Sequence, residues 1–133
     1  MKHWRVVIDT NVLVSALMTP TGKSAMVFRL FLTGEFTLVY SEEILDEYMT
    51  VLQRPRLRVQ EEDVSTILSA IRQCGVLVAP TPSIEHMPDE DDRKFYDAAK
   101  STDAYLVTGN ARHYPNEQFI HSPASYLELF AKP

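Results

Sequence analysis

Trp4-Arg5-Val6-Val7-Ile8-Asp9 is the stretch of sequence that decides the fold. Three branched aliphatic residues follow one another and the run ends abruptly at an acid. Such residues favour extended backbone, and a short apolar run bounded by polar residues predicts a buried strand. Where strands alternate with helices, functional groups gather beyond the carboxyl ends of the strands. Asp9 stands at such an end and is therefore the first candidate site residue.

Outward from this strand, predicted strands alternate with predicted helices along the rest of the chain. Short runs rich in branched and aromatic residues predict strands, and apolar residues recurring every three or four positions predict helices. Further strands are predicted at residues 36–40, 76–79, 105–108 and 119–120, and helices at residues 24–32, 42–54, 61–74, 91–100 and 123–130. This order predicts an α/β protein, a three-layer α/β/α sandwich with a central parallel sheet.

The length and composition indicate a single globular domain. With 133 residues, of which 45% are hydrophobic and 23% charged, the chain can bury a core but is short for two domains. We therefore expect one domain over residues 1–133. No apolar run approaches the roughly 20 residues that a membrane-spanning helix needs. Because the first residues lead into a strand rather than a signal sequence, we expect a cytoplasmic protein.

The net charge argues against a broad basic surface. Thirteen Lys and Arg residues against eighteen Asp and Glu residues give a net charge of −5, whereas many nucleic-acid-binding proteins carry a basic face. Any affinity for nucleic acid must therefore come from a small group of basic residues rather than from a whole face of the protein. An acidic excess is expected where several carboxylates hold divalent cations, because the ions reverse the charge of the site.

Cysteine and histidine do not indicate a nucleophile or a zinc site. Cys74, the single cysteine, falls in register with the apolar stripe of the helix at 61–74 and is predicted to lie in the core. The histidines lack the spacing of zinc ligands and are interpreted as surface or packing residues; they are His3, His86, His113 and His121. His113 stays open as a site residue because it closely follows Asn110.

The positions of a few acids in the predicted strands and helices mark them as candidate site residues. Glu47 borders the apolar stripe of its predicted helix, where a carboxylate is costly unless it is paired or bound to a metal. Asp92 shares the inward face of a later helix, whereas Asp97 is expected to point away from that face. Asp9 follows a buried strand, although an Asp at such a place also commonly turns the chain or caps a helix.

Polar groups after the strand at 105–108 would complete a cluster with these acids. Thr108-Gly109-Asn110 reaches the same sheet edge as Asp9, although a simple turn is the alternative. Like charges about 4 Å apart repel by roughly 4 kcal/mol at an effective dielectric of 20, so such a cluster needs a cation. All-oxygen ligands suit Mg²⁺ or Mn²⁺, and we expect one or two of these ions as the cofactor.

Several segments resemble the PIN domain in order and spacing, and together they span nearly the whole chain. They are Val6 to Val14, Ser41 to Tyr48 followed by Leu52-Gln53-Arg54-Pro55, Asp89 to Phe95, and Leu106 to Asn110. The chain is most similar to the VapC-like branch, the bacterial toxins of toxin–antitoxin pairs. That branch also ends with Ser-Pro and a helix, as at Ser122-Pro123.

The resemblance implies a set of site residues. The metal-binding and catalytic acids would be Asp9, Glu47 and Asp92. Thr10 and Asn11 would support Asp9, with Thr108 as a further supporting residue. The family often has a fourth Asp where this sequence has Asn110. Asn110 can still offer a carbonyl oxygen and stays a catalytic candidate, but the lost charge implies weaker binding of a second ion.

The resemblance also implies an activity. Metal-activated water would hydrolyse RNA phosphodiester bonds without a Ser or Cys nucleophile. The chain would be an endoribonuclease, the toxin of a type II toxin–antitoxin pair, forming a homodimer and binding a small antitoxin whose tail covers the acidic cleft. The candidates for contacts with RNA phosphates are Lys23, Arg54, Arg56 and Arg58. Solvated surface charge is the alternative interpretation of these basic residues.

Two other functions stay open. A catalytically degenerate PIN domain would bind RNA or protein without cutting, and Asn110 is the main support for that alternative. Haloacid-dehalogenase-like phosphatases also begin with an apolar strand ending in Asp. They need a second Asp two residues later, where this chain has Asn11, and the chain shows no evident cap domain.

Overall fold

A computed structural model describes residues 4–132, which form a parallel sheet covered by helices. The strands are β1 (Arg5–Ile8), β2 (Thr37–Tyr40), β3 (Val76–Leu77), β4 (Tyr105–Val107) and β5 (Ile120–His121). They lie in the order β3-β2-β1-β4-β5, and every pairing is parallel. Parallel strands bury side chains on both faces of the sheet, so helices must cover both.

The α-helices of the described residues connect and flank these strands. They are α1 (Thr10–Met18), α2 (Lys23–Leu32), α3 (Glu42–Leu52), α4 (Glu61–Cys74), α5 (Arg93–Thr102) and α6 (Pro123–Ala131). Helix α2 contacts both α1 and α6, and α5 packs against β1, β2 and β4. The predicted three-layer α/β/α sandwich with a central parallel sheet is confirmed.

The longest of these helices, α4, has 14 residues. A bilayer-spanning helix needs about 20 predominantly apolar residues. Within residues 4–132, none of the helices has the length and the apolar character to cross a membrane.

Helix α1 is absent from the elements that the sequence predicts. It begins with Thr10 and contains Val12 and Val14, and branched residues have modest helix propensity. Its stability comes from its surroundings, because Val12 is buried and the Asp9 carboxylate caps the first turn. Strand β1, which ends at Ile8, therefore passes through Asp9 directly into a helix rather than into a long loop.

The prediction that Cys74 lies in the core is wrong, because its side chain is exposed. The rest of the apolar stripe of α4 is buried as expected. Cys74 is the last residue of α4, and the chain leads at once through Gly75 into β3, whose residues are also exposed. The angular position of Cys74 on the helix matches the stripe, but the helix end lies beside the uncovered edge of the sheet.

Two fully buried tyrosines differ in what their hydroxyls contact. Tyr48 donates a hydrogen bond to the backbone carbonyl of Ile8, and so ties α3 to the end of β1. The Tyr126 ring packs against Trp4 with 5.9 Å between ring centroids. Its hydroxyl has no hydrogen-bond partner among residues 4–132. The first hydroxyl should stabilise the fold, and the second should not.

Replacing Tyr48 with Phe is expected to lower the free energy of unfolding by about 1–2 kcal/mol, because the Ile8 carbonyl loses a buried hydrogen bond. Tyr126→Phe is the matched control, since it removes a buried hydroxyl that has no partner in the described structure. Its stability should be unchanged or higher. Urea unfolding followed by circular dichroism measures both. The assignment is contradicted if Tyr126→Phe destabilises the protein as much as Tyr48→Phe does.

Candidate active site

The candidate site lies where the strand order of the sheet reverses. From β1 the chain proceeds to β2 and β3 on one side, whereas β4 and β5 lie on the other side of β1. Connections that leave neighbouring strands in opposite directions open a crevice at the carboxyl ends of those strands. Asp9 follows β1 and Thr108 follows β4, and the Asp9 amide donates to the Val107 carbonyl at 3.0 Å. Two predicted residues 99 positions apart therefore meet at this crevice.

Asp9 is held in one orientation by donors from different parts of the chain. Its Oδ2 accepts hydrogen bonds from the hydroxyls of Thr108 and Tyr114, each at 2.8 Å. Its Oδ1 accepts only a longer bond of 3.4 Å from the backbone amide of Asn11 among the contacts described. Asp9 is 5% exposed. Oδ2 is thus engaged by two donors, whereas Oδ1 keeps capacity for a further partner.

The surroundings of Asp9 disfavour an uncompensated negative charge. Burial raises its pKa, and the charge of Glu47 acts in the same direction. The hydrogen bonds from Tyr114, Thr108 and Asn11 oppose that shift. Burial and the charge of Asp9 raise the pKa of Tyr114 well above its ordinary value, so this phenol stays a donor. A cation beside Asp9 would offset the cost of burying its charge.

Glu47 comes from α3 and is held between a hydroxyl and an ammonium group. Thr10 donates to its Oε2 at 2.5 Å, and the Lys94 Nζ donates to its Oε1 at 2.7 Å. The side chains of Lys94 and Glu47 are 16% and 27% exposed, so this ion pair is largely shielded from water. The resemblance implies that Thr10 supports Asp9. Its hydroxyl instead binds Glu47.

Asp92 reaches the same cleft from the turn that precedes α5, and its side chain is 20% exposed. Burial raises its pKa to about 6, and the charges of Asp9 and Glu47 add to the shift. His113 lowers that pKa, and its Nδ1 lies 3.8 Å from the Asp92 Oδ2. The three predicted acids are therefore close enough to influence one another. His113 lies beside them, as its sequence position suggested.

The residues of the turn after β4 mainly hold the backbone of that turn in position. They add little to the side chains that could bind a metal ion in the cleft. The Asn110 amide donates to the Thr108 hydroxyl oxygen at 3.0 Å. The Gly109 amide donates to the Asn11 Oδ1 at 3.2 Å, so Asn11 ties α1 to this turn. Asn110 is exposed and does not line the cleft. The structure thus brings Thr108 and Asn11 into the site and leaves Asn110 at its margin.

A cleft of about 690 Å³ opens beside these acids, and Asp9, Glu47 and Asp92 all line it. Of the predicted phosphate-binding residues, Arg54 and Arg56 also line this cleft, but Lys23 and Arg58 do not. Arg58 instead lines a separate cavity of about 320 Å³. The cleft therefore combines a buried acidic end with two exposed arginines.

The donor set fits a hard divalent cation held by few protein ligands. Among residues 4–132, no three His, Cys, Asp or Glu side chains are grouped so that they could hold a metal ion. Glu47 is paired with Lys94. Burial raises the pKa values of Asp9 and Asp92, so a cation beside either carboxylate would offset the cost of its charge. Mg²⁺ commonly binds proteins through one or two carboxylates and keeps several waters. Asp9 and Asp92 fit that pattern, whereas a cage of three carboxylates is not preformed in the described chain.

Two residues of the site were missed by sequence reasoning. Lys94 follows Asp92 closely and occupies the first turn of α5, where the helix dipole disfavours a positive charge. A positive charge at this unfavourable position could have marked Lys94 as a candidate site residue. Tyr114 lies in no predicted element and is 105 positions from Asp9, so no local pattern could pair the two.

Other predicted positions have structural roles. Asp97 was expected to point away from the inward face of its helix, but it is buried and accepts a hydrogen bond from the Ser83 amide at 3.3 Å. The loop before α5 covers it, which the pattern of a single helix does not reveal. His86 is exposed, and His121 contacts a serine hydroxyl at 2.8 Å. His3 lies outside the described residues.

Known proteins are similar to this chain in sequence and in fold. A family model described as PIN domain matches residues 5–112. The chain is 33% identical over 143 residues to the uncharacterized protein MJ1680 of Methanocaldococcus jannaschii, covering 96% of this chain and 92% of that protein. In fold it is similar to the crystal structure of VapBC2 from Rickettsia felis bound to a DNA fragment from its promoter. That match has a TM-score of 0.55 and 16% identity, and covers 81% of this chain and 89% of the other. The chain belongs to the PIN domain family.

Proposed function

We propose that the chain is a Mg²⁺- or Mn²⁺-dependent endoribonuclease and the toxin of a type II toxin–antitoxin pair. The observation that carries this proposal is the buried Asp9 at the reversal point of the strand order, which lines the same cleft as Asp92. Each of these carboxyls has a raised pKa, and the charge of Asp9 contributes to the shift of Asp92. Perturbed carboxyls that converge in a cleft are typical of functional sites.

Asp9 and Asp92 would hold the first divalent ion, with Glu47 as a further acid of the site. When bound, one or two such ions supply activated water and stabilise negative charge on phosphate oxygens. The described lining of the cleft contains neither His nor Cys. Oxygen donors without nitrogen or sulfur favour Mg²⁺ or Mn²⁺ over zinc.

The protein's own residues would keep the acids in position. Thr108 and Tyr114 fix one oxygen of Asp9, and Asn11 joins α1 to the turn after β4. Ligands held in this way need no reorganisation during the reaction, which lowers its barrier. Arg54 and Arg56 would contact RNA phosphates from the wall of the cleft.

The toxin role and its partners rest on similarity to VapC-like proteins. The similar fold named above comes from VapBC2, a complex bound to DNA. We propose a small antitoxin that covers the acidic cleft, a single nuclease domain over residues 1–133 and a cytoplasmic location.

We also propose a homodimer, supported by the exposed Met18, Met26 and Leu32 on α1 and α2. Light scattering of the purified protein tests the dimer.

A second candidate function is binding of RNA without cleavage. It is favoured by Asn110, which stands where many PIN domains carry an acid and lies outside the cleft. The pairing of Glu47 with Lys94 also reduces the number of carboxylates without a countercharge. RNA binding that is unaffected by chelator, without any cleavage, would support this function.

Mn²⁺-dependent cleavage of single-stranded RNA should fall about 100-fold or more in Asp9→Asn and in Asp92→Asn, because each change removes an ion ligand. Asp103→Asn is the matched control. Asp103 lies past the end of α5 at a φ of 55°, a conformation that Asn tolerates, and it does not line the cleft. Cleavage rates from gel assays with and without EDTA measure the effect.

Equal activity in the wild type and both variants would remove the proposed site. Loss of activity in Asp103→Asn as well would mean that the assay reports folding rather than chemistry. The haloacid-dehalogenase-like alternative makes a different prediction, since it expects hydrolysis of p-nitrophenyl phosphate without cleavage of RNA. That result would contradict the ribonuclease proposal.

Arg54→Gln combined with Arg56→Gln should weaken RNA binding and lower the salt dependence of its affinity. The logarithm of the affinity falls linearly with the logarithm of the salt concentration. Each lost phosphate contact on single-stranded RNA makes this negative slope shallower by about 0.7. Arg58→Gln, from the same segment but outside the cleft, should change the slope little. Fluorescence anisotropy in the Asp92→Asn background measures binding without cleavage. Equal slopes for the double variant and the wild type would exclude these two arginines as phosphate contacts.

Induced expression of the wild-type chain in a bacterial host is expected to arrest growth if it is a toxin. Asp9→Asn should not arrest growth, because the proposed nuclease would lack its buried ligand. Colony counts after induction, with equal protein levels checked by immunoblot, measure this difference. Normal growth with the wild type would argue against the toxin role, while the nuclease assay decides the chemistry separately.

A further inference from the structure

Lys94 places a positive charge inside the acidic cleft. Its ammonium group donates to the Glu47 Oε1 and to the Asp91 carbonyl, both at 2.7 Å. The side chain is 16% exposed and lines the cleft together with Asp9 and Asp92. Within the described residues, Lys94 is therefore a cation in direct contact with one of the three predicted acids.

The position of Lys94 in its helix is unfavourable on local grounds. It is the second residue of α5, and the positive end of a helix dipole disfavours a cation there. Partial burial of the ammonium adds a desolvation cost. The contacts with Glu47 and the Asp91 carbonyl offset both costs, so the ion pair is a specific feature of the cleft rather than a loose surface contact.

The pair changes what Glu47 can offer to a metal. The Oε2 accepts the Thr10 hydroxyl at 2.5 Å and the Oε1 accepts the Lys94 ammonium. Lone pairs remain on both oxygens. A divalent ion bound there would nevertheless lie next to the ammonium, and the two cations repel each other strongly where water is largely excluded. Glu47 can therefore serve one of these cations well, but not both.

We propose that Lys94 is an internal competitor of the divalent ion, which holds Glu47 in an ion pair and thereby lowers the metal affinity of the site. This inference rests on the proposed function, because it takes Asp9 and Asp92 as the first ligands of the ion. It deepens that function by assigning to Lys94 the role of a positioning residue that sets metal affinity through Glu47.

Isothermal titration calorimetry of the purified protein with Mn²⁺ alone tests the proposal without any RNA. Lys94→Met should lower the dissociation constant about tenfold, equivalent to about 1.4 kcal/mol. Adding Glu47→Gln to Lys94→Met should abolish this gain, because the gain requires the released carboxylate. The opposite result, unchanged or weaker binding in Lys94→Met, would overturn the proposal.

Lys100→Met is the matched control for loss of a positive charge from the same helix. Lys100 pairs with Glu85 and does not line this cleft. The dissociation constant of the Lys100→Met variant for Mn²⁺ should stay close to that of the wild type. A gain in affinity equal to that of Lys94→Met would overturn the role of Lys94. Circular dichroism in EDTA checks folding, and Lys94→Gln carries the same test if the Met variant does not fold.

The outcomes separate this inference from the proposed function. If the wild type binds Mn²⁺ and Lys94→Met binds it no more tightly, the role of Lys94 is excluded and the nuclease proposal stands. If neither protein binds Mn²⁺, the metal-dependent function and the role of Lys94 both fail. If only Lys94→Met binds Mn²⁺, the ammonium group of Lys94 prevents the ion from binding in the wild type, and the proposed competition is supported.

Discussion

The burial of the Asp9 carboxylate is the constraint on which the rest of the structure depends. A charge at 5% exposure requires donors, and these come from Thr108 after β4, from Tyr114 and from the backbone of α1. Supplying them fixes β4 beside β1 and begins α1 directly after the strand. The reversal of strand order and the cleft follow from that pairing.

Charge within the cleft is balanced unevenly, so the three acids have different electrostatic surroundings. Asp9 and Asp92 have raised pKa values, because burial and neighbouring carboxylates disfavour their charges. Glu47 is close to both but has a hydroxyl and an ammonium as partners. Carboxylates with opposite electrostatic surroundings in one cleft are not interchangeable as metal ligands.

Much of the site could be predicted because each acid stands out against an apolar element. Asp9 ends a buried strand, Glu47 borders a buried stripe, and the alternative role of Asp9 as a helix cap is realised as well. The contacts between elements could not be predicted. Tyr114 approaches Asp9 through tertiary structure, and the exposure of Cys74 depends on where the sheet ends. Periodicity within one element carries no information about either.

The long sequence separation of the residues around Asp9 has a consequence for synthesis of the protein. Tyr114 lies 105 positions after the acid whose oxygen it contacts, so a chain still emerging from the ribosome lacks part of the site until most of it has been translated. Parallel pairing between distant segments also forms slowly. A nascent chain of this kind cannot assemble the complete set of donors around Asp9, and premature termination before β4 yields a fragment that lacks both Thr108 and Tyr114.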